Sequence, residues 1–300
     1  MDLQTSIKQL FDAQMRDWPL AAKNFADLAR VEVRTFAFDG FSVRVQCNPA
    51  RVVSSAAKVD AAAIAARPCF LCAHNRPSEQ AAVACGDWEV LVNPFPIFPQ
   101  HFTLAHKQHQ PQEIAAHIAD FLDFARCLPD YVVFYNGPRC GASAPDHLHF
   151  QAGTKSFLPL IGDYFRLKAA RARLVDTTGS ARTFALDGYL RTVFCIEGKR
   201  DDALQVAFLK LYNTLLSEPL VEPMMNLVAC CEQECTYLFV LPRRAFRPWQ
   251  YAAENPENQL LVSPAAVEMA GVFVTPNPAH FAKITAADIV DIFDQITLKF

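Results

Sequence analysis

The stretch that most constrains this chain runs from Tyr131 to Gln151. An apolar run, Tyr131-Val132-Val133-Phe134, gives way to Tyr135-Asn136-Gly137-Pro138-Arg139-Cys140-Gly141-Ala142-Ser143-Ala144-Pro145-Asp146 and then to His147-Leu148-His149-Phe150-Gln151. Strict polar/apolar alternation is the period of a half-buried strand. It predicts that both imidazoles and the Gln151 amide share one face, with Leu148 and Phe150 in the core. The small residues Gly137, Gly141, Ala142 and Ser143 let backbone amides approach an anion. A neutral imidazole held beside such a loop is a competent nucleophile near neutral pH, so the arrangement suits attack on phosphorus.

A Gly-Ala-Ser loop followed by His-Leu-His-Phe-Gln resembles the active-site motif of the histidine-triad (HIT) superfamily. More narrowly, it resembles the branch in which glutamine replaces the last histidine. That branch holds galactose-1-phosphate uridylyltransferase, the diadenosine tetraphosphate phosphorylases and the GDP-hexose phosphorylases, the last being closest in wording. The resemblance implies an α+β fold of HIT-like antiparallel sheets with flanking helices, built from two related halves, the second degenerate. Residues 1–155 would be the catalytic half and 156–300 would supply substrate contacts, either as separate domains or as one continuous domain.

The same resemblance implies a nucleotidyltransferase or phosphorylase acting on a nucleoside diphosphate sugar or a dinucleotide. His149 would be the nucleophile that carries a covalent nucleotide, and Gln151 would hydrogen-bond an α-phosphate oxygen. His147 would have a structural role beside it. The Gly141, Ala142 and Ser143 amides and the Ser143 hydroxyl would bind phosphates, while Asn136 either orients the loop or caps it. The acceptor would be phosphate or a sugar phosphate. Two other readings stand beside this one: a hydrolase of the same superfamily, and a non-catalytic nucleotide-binding regulatory protein.

Cys69 and Cys72 form a Cys-x-x-Cys knuckle that can present two thiolates to one zinc ion, act as a redox pair, or pack as ordinary buried cysteines. In the uridylyltransferases such a pair is completed by a later histidine and by the first histidine of His-x-His. Carried over, the set is Cys69, Cys72, His109 (or His106) and His147, around a structural zinc that the phosphorylases of the branch need not carry. Arg51 is the early-loop arginine that the resemblance aims at nucleotide phosphates, against the reading of a solvated loop residue. Arg243, Arg244 and Arg247 are forks suited to a phosphate or sugar phosphate, or a basic surface turn. Glu268 meets a sugar hydroxyl or faces solvent, and the proline-stiffened turn Phe95 to Phe98 is a candidate wall for a base.

Net charge is only −3 over 300 residues, without long runs of either sign. That lacks the footprint of a general nucleic-acid binder. No apolar stretch approaches the roughly 20 residues needed to cross a bilayer. Ten scattered cysteines and the absence of a signal-peptide pattern predict a cytoplasmic protein. Periodicity predicts one or two helices over 2–30, a hairpin over 31–47 turning at Asp39-Gly40, and strands at 88–92 and 101–109. It predicts helices at 112–128, 204–216 and 285–298, a strand at 189–196 and a hairpin over 225–241. The stretch 264–274 resembles a late strand of the uridylyltransferase branch.

Overall fold

The computed structural model describes residues 2–49, 63–64, 66–218 and 221–300. Arg51 lies outside the described residues. Two helices, α1 (Leu3–Asp17) and α2 (Pro19–Leu28), open the chain. Asp2 caps the first by accepting from the Thr5 amide at 2.8 Å, and Pro19, which lacks an N–H to donate, starts the second. The expected hairpin follows as β1 (Val33–Phe38) and β2 (Phe41–Cys47), with Gly40 in the left-handed region at φ 75°.

The strands that follow are β3 (Ala82–Cys85), β4 (Trp88–Val92), β5 (His101–His106), β6 (Tyr131–Asn136) and β7 (His149–Thr154). Helix α3 (Ile118–Cys127) lies between β5 and β6. After α4 (Pro159–Arg171) the chain forms β8 (Ala172–Thr178), β9 (Ala181–Leu186), β10 (Phe194–Gly198), α5 (Asp201–Leu215), β11 (Met225–Glu232) and β12 (Cys235–Pro242). It ends with the short helix α6 (Ala266–Met269), β13 (Val272–Thr275), α7 (Pro278–Lys283) and α8 (Ala286–Ile296).

Ten strands form one antiparallel sheet in the order β3-β4-β5-β7-β6-β11-β12-β10-β9-β8. The first five strands read 3-4-5-7-6 and the last five, from their own edge inward, 8-9-10-12-11. In each set a helix precedes the last two strands. The topology therefore repeats about the β6–β11 pair at the centre of the sheet.

The repeat is uneven at one place. Residues 137–148 separate β6 from β7, whereas only Gln233 and Glu234, both at positive φ, separate β11 from β12. Eight residue pairs accordingly join β11 to β12, and four join β6 to β7.

Alternation along the strands divides the core. Tyr131, Val133, Tyr135, Leu148 and Phe150 pack with residues of α1, α3 and α5 on one face. Phe134, Val228, Phe239 and Leu241 pack on the other, against β2, β13 and α8. On that second face sits a three-stranded sheet, β1-β2-β13, whose β13 runs parallel to β2.

Several expectations are corrected in detail. The strand expected over 147–151 begins at His149, because His147 and Leu148 are drawn off the ladder by bonds to residues 106 and 110. The helix expected from Gln112 starts at Ile118, since the Gln112 and Ile114 amides donate to Pro145 and Glu222 instead of entering a helix. The stretch 264–274 is a helical turn and then a strand, not one strand. Among the described residues no helix is long and apolar enough to cross a membrane.

Candidate active site

The inner face of β7 and the small sheet enclose a cavity of about 490 Å³. His149 and Gln151 line it, as do Asn136, Gly141, Ala142 and Ser143 from the loop after β6. Trp18 and Leu20 reach it from the start of α2, and Ala265, Val267 and Glu268 from the segment around α6. Residues from both halves of the chain therefore line it.

His149 is nearly inaccessible at 4% exposure. Its Nδ1–H donates to the His147 carbonyl at 2.8 Å, which leaves the lone pair on Nε2. Among the described residues Nε2 has no hydrogen-bond partner. Burial pushes the imidazole down to about 4, against the His147 carbonyl that favours the charged form. The ring is thus neutral at physiological pH, in the tautomer a nucleophile requires.

Gln151 stands two residues on and on the same face. His101, fully buried, accepts from the Ile97 amide at Nδ1 (3.2 Å), so its Nε2 carries the proton. That proton is donated to Gln151 Oε1 at 2.9 Å. The amide is thereby oriented with its NH2 group left for another acceptor. The sequence marks His101 only as the head of a strand-like run and gives it no role, because that role appears only when β5 pairs with β7.

The loop carries its own constraint. A Cβ on Gly141, at φ 100°, would lie 2.6 Å from Ala265 Cβ, so glycine alone lets loop and second half touch. Asn136 Oδ1 accepts from Asn226 Nδ2 (3.0 Å) and from the Ala266 amide (2.8 Å). Asn226 Nδ2 also donates to Cys140 O at 2.8 Å. Asn136 thus ties the end of β6 to Asn226 and Ala266, and it is Asn226 that reaches the loop itself, at Cys140.

The arginines separate. Arg243 is buried, 2% exposed, and donates to Asn226 Oδ1 (2.6 Å), Pro264 O (3.0 Å), Ala245 O (3.1 Å) and Phe246 O (2.8 Å). Its fork is filled by the protein, so it is a clamp behind the wall and not the expected phosphate anchor. Arg244 donates to the Asp294 and Gln295 carbonyls at the end of α8. Arg247 does line the cavity: its guanidinium lies over the Phe246 and Tyr251 rings at 4.4 and 3.9 Å, and Nε donates to Ser263 Oγ at 2.9 Å.

Glu268 lines the cavity too, while its Oε2 accepts from the Ala265 amide at 2.9 Å. Of the aromatic turn, Phe95 and Ile97 reach the cavity, whereas Phe98 packs under Gly153 and against Phe134.

His147 faces away from the cavity, which corrects the expectation of three polar groups on one wall. Its Nδ1 lies 3.3 Å from Cys69 Sγ and 3.6 Å from Cys72 Sγ, and Cys72 Sγ lies 3.4 Å from His109 Nδ1. All four ligand atoms fall within 4.8 Å of one another, a group that could hold a metal ion. A tetrahedral zinc with Zn–S near 2.3 Å and Zn–N near 2.0 Å places S and N about 3.5 Å apart, which these separations match. His147 Nε2–H donates to the His106 carbonyl at 2.7 Å, freeing Nδ1 as a ligand. His106 itself turns to Trp88 and to the Gln108 amide, so His109 is the member of the group. Burial raises the Cys69 thiol, but the His147 hydrogen bond and the Leu71 and Cys72 amides more than offset this, to about 6.

Behind β7 lie two groups the sequence did not mark. Gln112 bonds the backbone of His149 and Asn136, and Glu222 accepts from Tyr135 Oη and the Ile114 amide, both at 2.7 Å. Burial pushes the Glu222 carboxyl up to about 7, although both hydrogen bonds oppose it.

A family model described as "Domain of unknown function (DUF4922)" matches residues 10–154. No curated protein sequence matches the chain. Among solved structures, yeast Ap4A phosphorylase Apa2 superposes with a TM-score of 0.64 at 15% identity, over 93% of this chain and 96% of that one. The same yeast enzyme in complex with Ap4A gives 0.61 at 15% identity, over 97% and 96%. Its complex with AMP gives 0.57 at 16% identity, over 91% and 94%. Across nearly its whole length, this chain has the fold of yeast Ap4A phosphorylase Apa2.

Proposed function

We propose that the chain is a nucleotidyltransferase of the phosphorylase type, which breaks a dinucleotide or nucleoside diphosphate sugar through a nucleotide carried on His149. The observation that carries this reading is the His149 ring: neutral, fixed in one tautomer, and presenting an unpartnered Nε2 to a cavity beside the Gln151 amide. The fold shared with an enzyme named for Ap4A phosphorolysis supports it.

His149 Nε2 attacks the α-phosphorus in line, forming an N–P bond as the P–O bond to the leaving group breaks. The electron pair departs with a phosphate or phosphate ester, whose second pKa of about 6 lets it leave unprotonated at neutral pH. Gln151, a neutral amide, therefore need not act as an acid. Its NH2 group donates to a non-bridging oxygen, where charge develops. Arg247, held by Ser263 over two aromatic rings, takes a distal phosphate. Phosphate or a sugar phosphate then enters, attacks the same phosphorus and returns the electron pair to Nε2.

Cys69, Cys72, His109 and His147 fit a zinc ion in donor type and spacing. Bound there, the ion would supply rigidity: it would tie the Cys69–Cys72 knuckle to the residue whose carbonyl holds the His149 tautomer. With all ten cysteines present as free thiols, we place the chain in a reducing cytoplasm.

The test is intact-protein mass under mildly basic quenching, after brief exposure to dinucleotides and nucleoside diphosphate sugars, wild type beside His149→Ala. The expected result is a gain of one nucleoside monophosphate in the wild type, discharged by phosphate and absent from the variant. Nucleotide binding with no adduct from any donor overturns the covalent mechanism, and turnover independent of phosphate or sugar phosphate marks a hydrolase.

A further inference from the structure

We infer that Gln112 is the positioning residue that sets where His149 stands for in-line attack. The inference rests on the covalent role proposed for His149 and concerns a residue outside the cavity lining.

The β6–β7 ladder runs from Tyr131↔Thr154 to Phe134↔Gln151 and stops. In the same register Asn136 would face His149, but by then the strands have parted to admit residues 137–148. Parting strands strip partners from the backbone of the nucleophile itself, and buried peptide groups left unpaired are costly.

The Gln112 side chain fills that gap. Its Oε1 accepts from the His149 amide at 2.8 Å, and its Nε2 donates to the His149 carbonyl at 2.9 Å and to the Asn136 carbonyl at 3.0 Å. One primary amide thus gives His149 the paired donor and acceptor of a neighbouring strand, and ties the far strand to the same point.

Gln112 is itself fixed from behind. It is 1% exposed, its amide donates to Pro145 O at 3.1 Å, and its carbonyl lies 3.2 Å from the Tyr135 hydroxyl. Two residues earlier Gln110 O accepts from the Leu148 amide at 2.7 Å. Residues 110–112 therefore run along 145–149 as a short surrogate strand.

Since the His149 ring is already locked to the His147 carbonyl, holding the backbone at this residue holds Nε2. Gln112 does not line the cavity, so its effect is on alignment. Alignment acts on the chemical step more than on binding, and a displacement on the order of 1 Å costs about 10²-fold in rate.

The experiment compares wild type with Gln112→Met, which keeps shape and removes all three bonds, and Gln112→Glu, which keeps an acceptor for the His149 amide but sets a carboxylate against two carbonyls. The expected result for both is a roughly 30- to 100-fold fall in kcat, with KM and product-nucleotide Kd within about threefold. Hydrogen exchange of the His149 amide should be slow in the wild type and fast in Gln112→Met.

A merely structural role would lower thermal stability while leaving kcat per folded molecule unchanged, and kcat within twofold of wild type overturns the inference. So does a wild-type His149 amide that exchanges like an unbonded loop amide, a reading that needs no variant to fold. If the wild type forms no adduct, the functional proposal above fails and this inference falls with it, whereas an adduct with kcat unchanged in the variants overturns this inference alone.

Discussion

Single side chains in this site act through the lone pairs they leave to others. His101 illustrates the point, since it touches Gln151 from behind and converts a freely rotating amide into a donor with one orientation. His101→Asn keeps an acceptor for the Ile97 amide and loses the reach to Gln151. The expected outcome is a fall in kcat of about tenfold with KM within threefold, smaller than the ~10² expected when Gln151→Ala removes the donor itself. Steady-state phosphorolysis on the donor identified by mass checks both. His149, Gln151, Cys69 and Cys72 were legible in the sequence because each belongs to a spacing a few residues long. His101, Gln112 and Glu222 were not, because their partners lie 50, 37 and 108 residues away and only pairing of the strands brings them together. Arg243 misled for the same reason: a fork in a basic turn looks free until its acceptors, 17 and 21 residues distant, are in place.

At the scale of elements, the knuckle is the joint between an early loop and the start of β7. Arg76 anchors that loop by donating to Leu71 O at 2.6 and 2.8 Å and to Glu89 at 2.7 Å. Zinc would add the link from Cys69 and Cys72 to His147. Removing it with a chelator, or substituting Cys69→Ala, should lower Tm by several degrees and slow adduct formation, and zinc should restore the chelated wild type but not the variant. Elemental analysis of the purified protein should give one zinc per chain; none, with full activity, sinks the metal assignment. Helices α1, α2, α3, α5 and α8 and strands β4, β11 and β12 were readable because their apolar periods are clean, whereas the strand expected over 189–196 begins only at Phe194. The edge strands β3 and β8 were not, since an edge strand is half solvated and its alternation fades: Leu174 and Val175 of β8 are both exposed. Residues 264–274 misled because a helical turn buried on all sides is as apolar as a buried strand.

Across the whole molecule, the two halves meet at β6–β11 and again at Glu222, which reaches from the second half to Ile114 and Tyr135 in the first. Its carboxyl titrates near 7 in the fold against 4.5 when free, so the folded state holds the extra proton between those values. Stability from this group is therefore full below about pH 4.5 and is lost as pH rises through 7, a swing of about 3 kcal/mol. Glu222→Gln mimics the protonated form. Urea unfolding should find it close to wild type at pH 5 and more stable at pH 8, whereas equal stability at both would place the carboxyl's titration elsewhere. The two-residue turn at Gln233 and Glu234 bears on how such a molecule can change. With no room between β11 and β12 for an anion-holding loop, substitutions alone cannot give the second half a centre of its own; that would take an insertion of about a dozen residues. If the proposed function holds, new specificity is open to drift in the covering segments around Ser263 and Arg247, while the loop after β6 stays the one place between paired strands β6–β7 and β11–β12 with room for an anion.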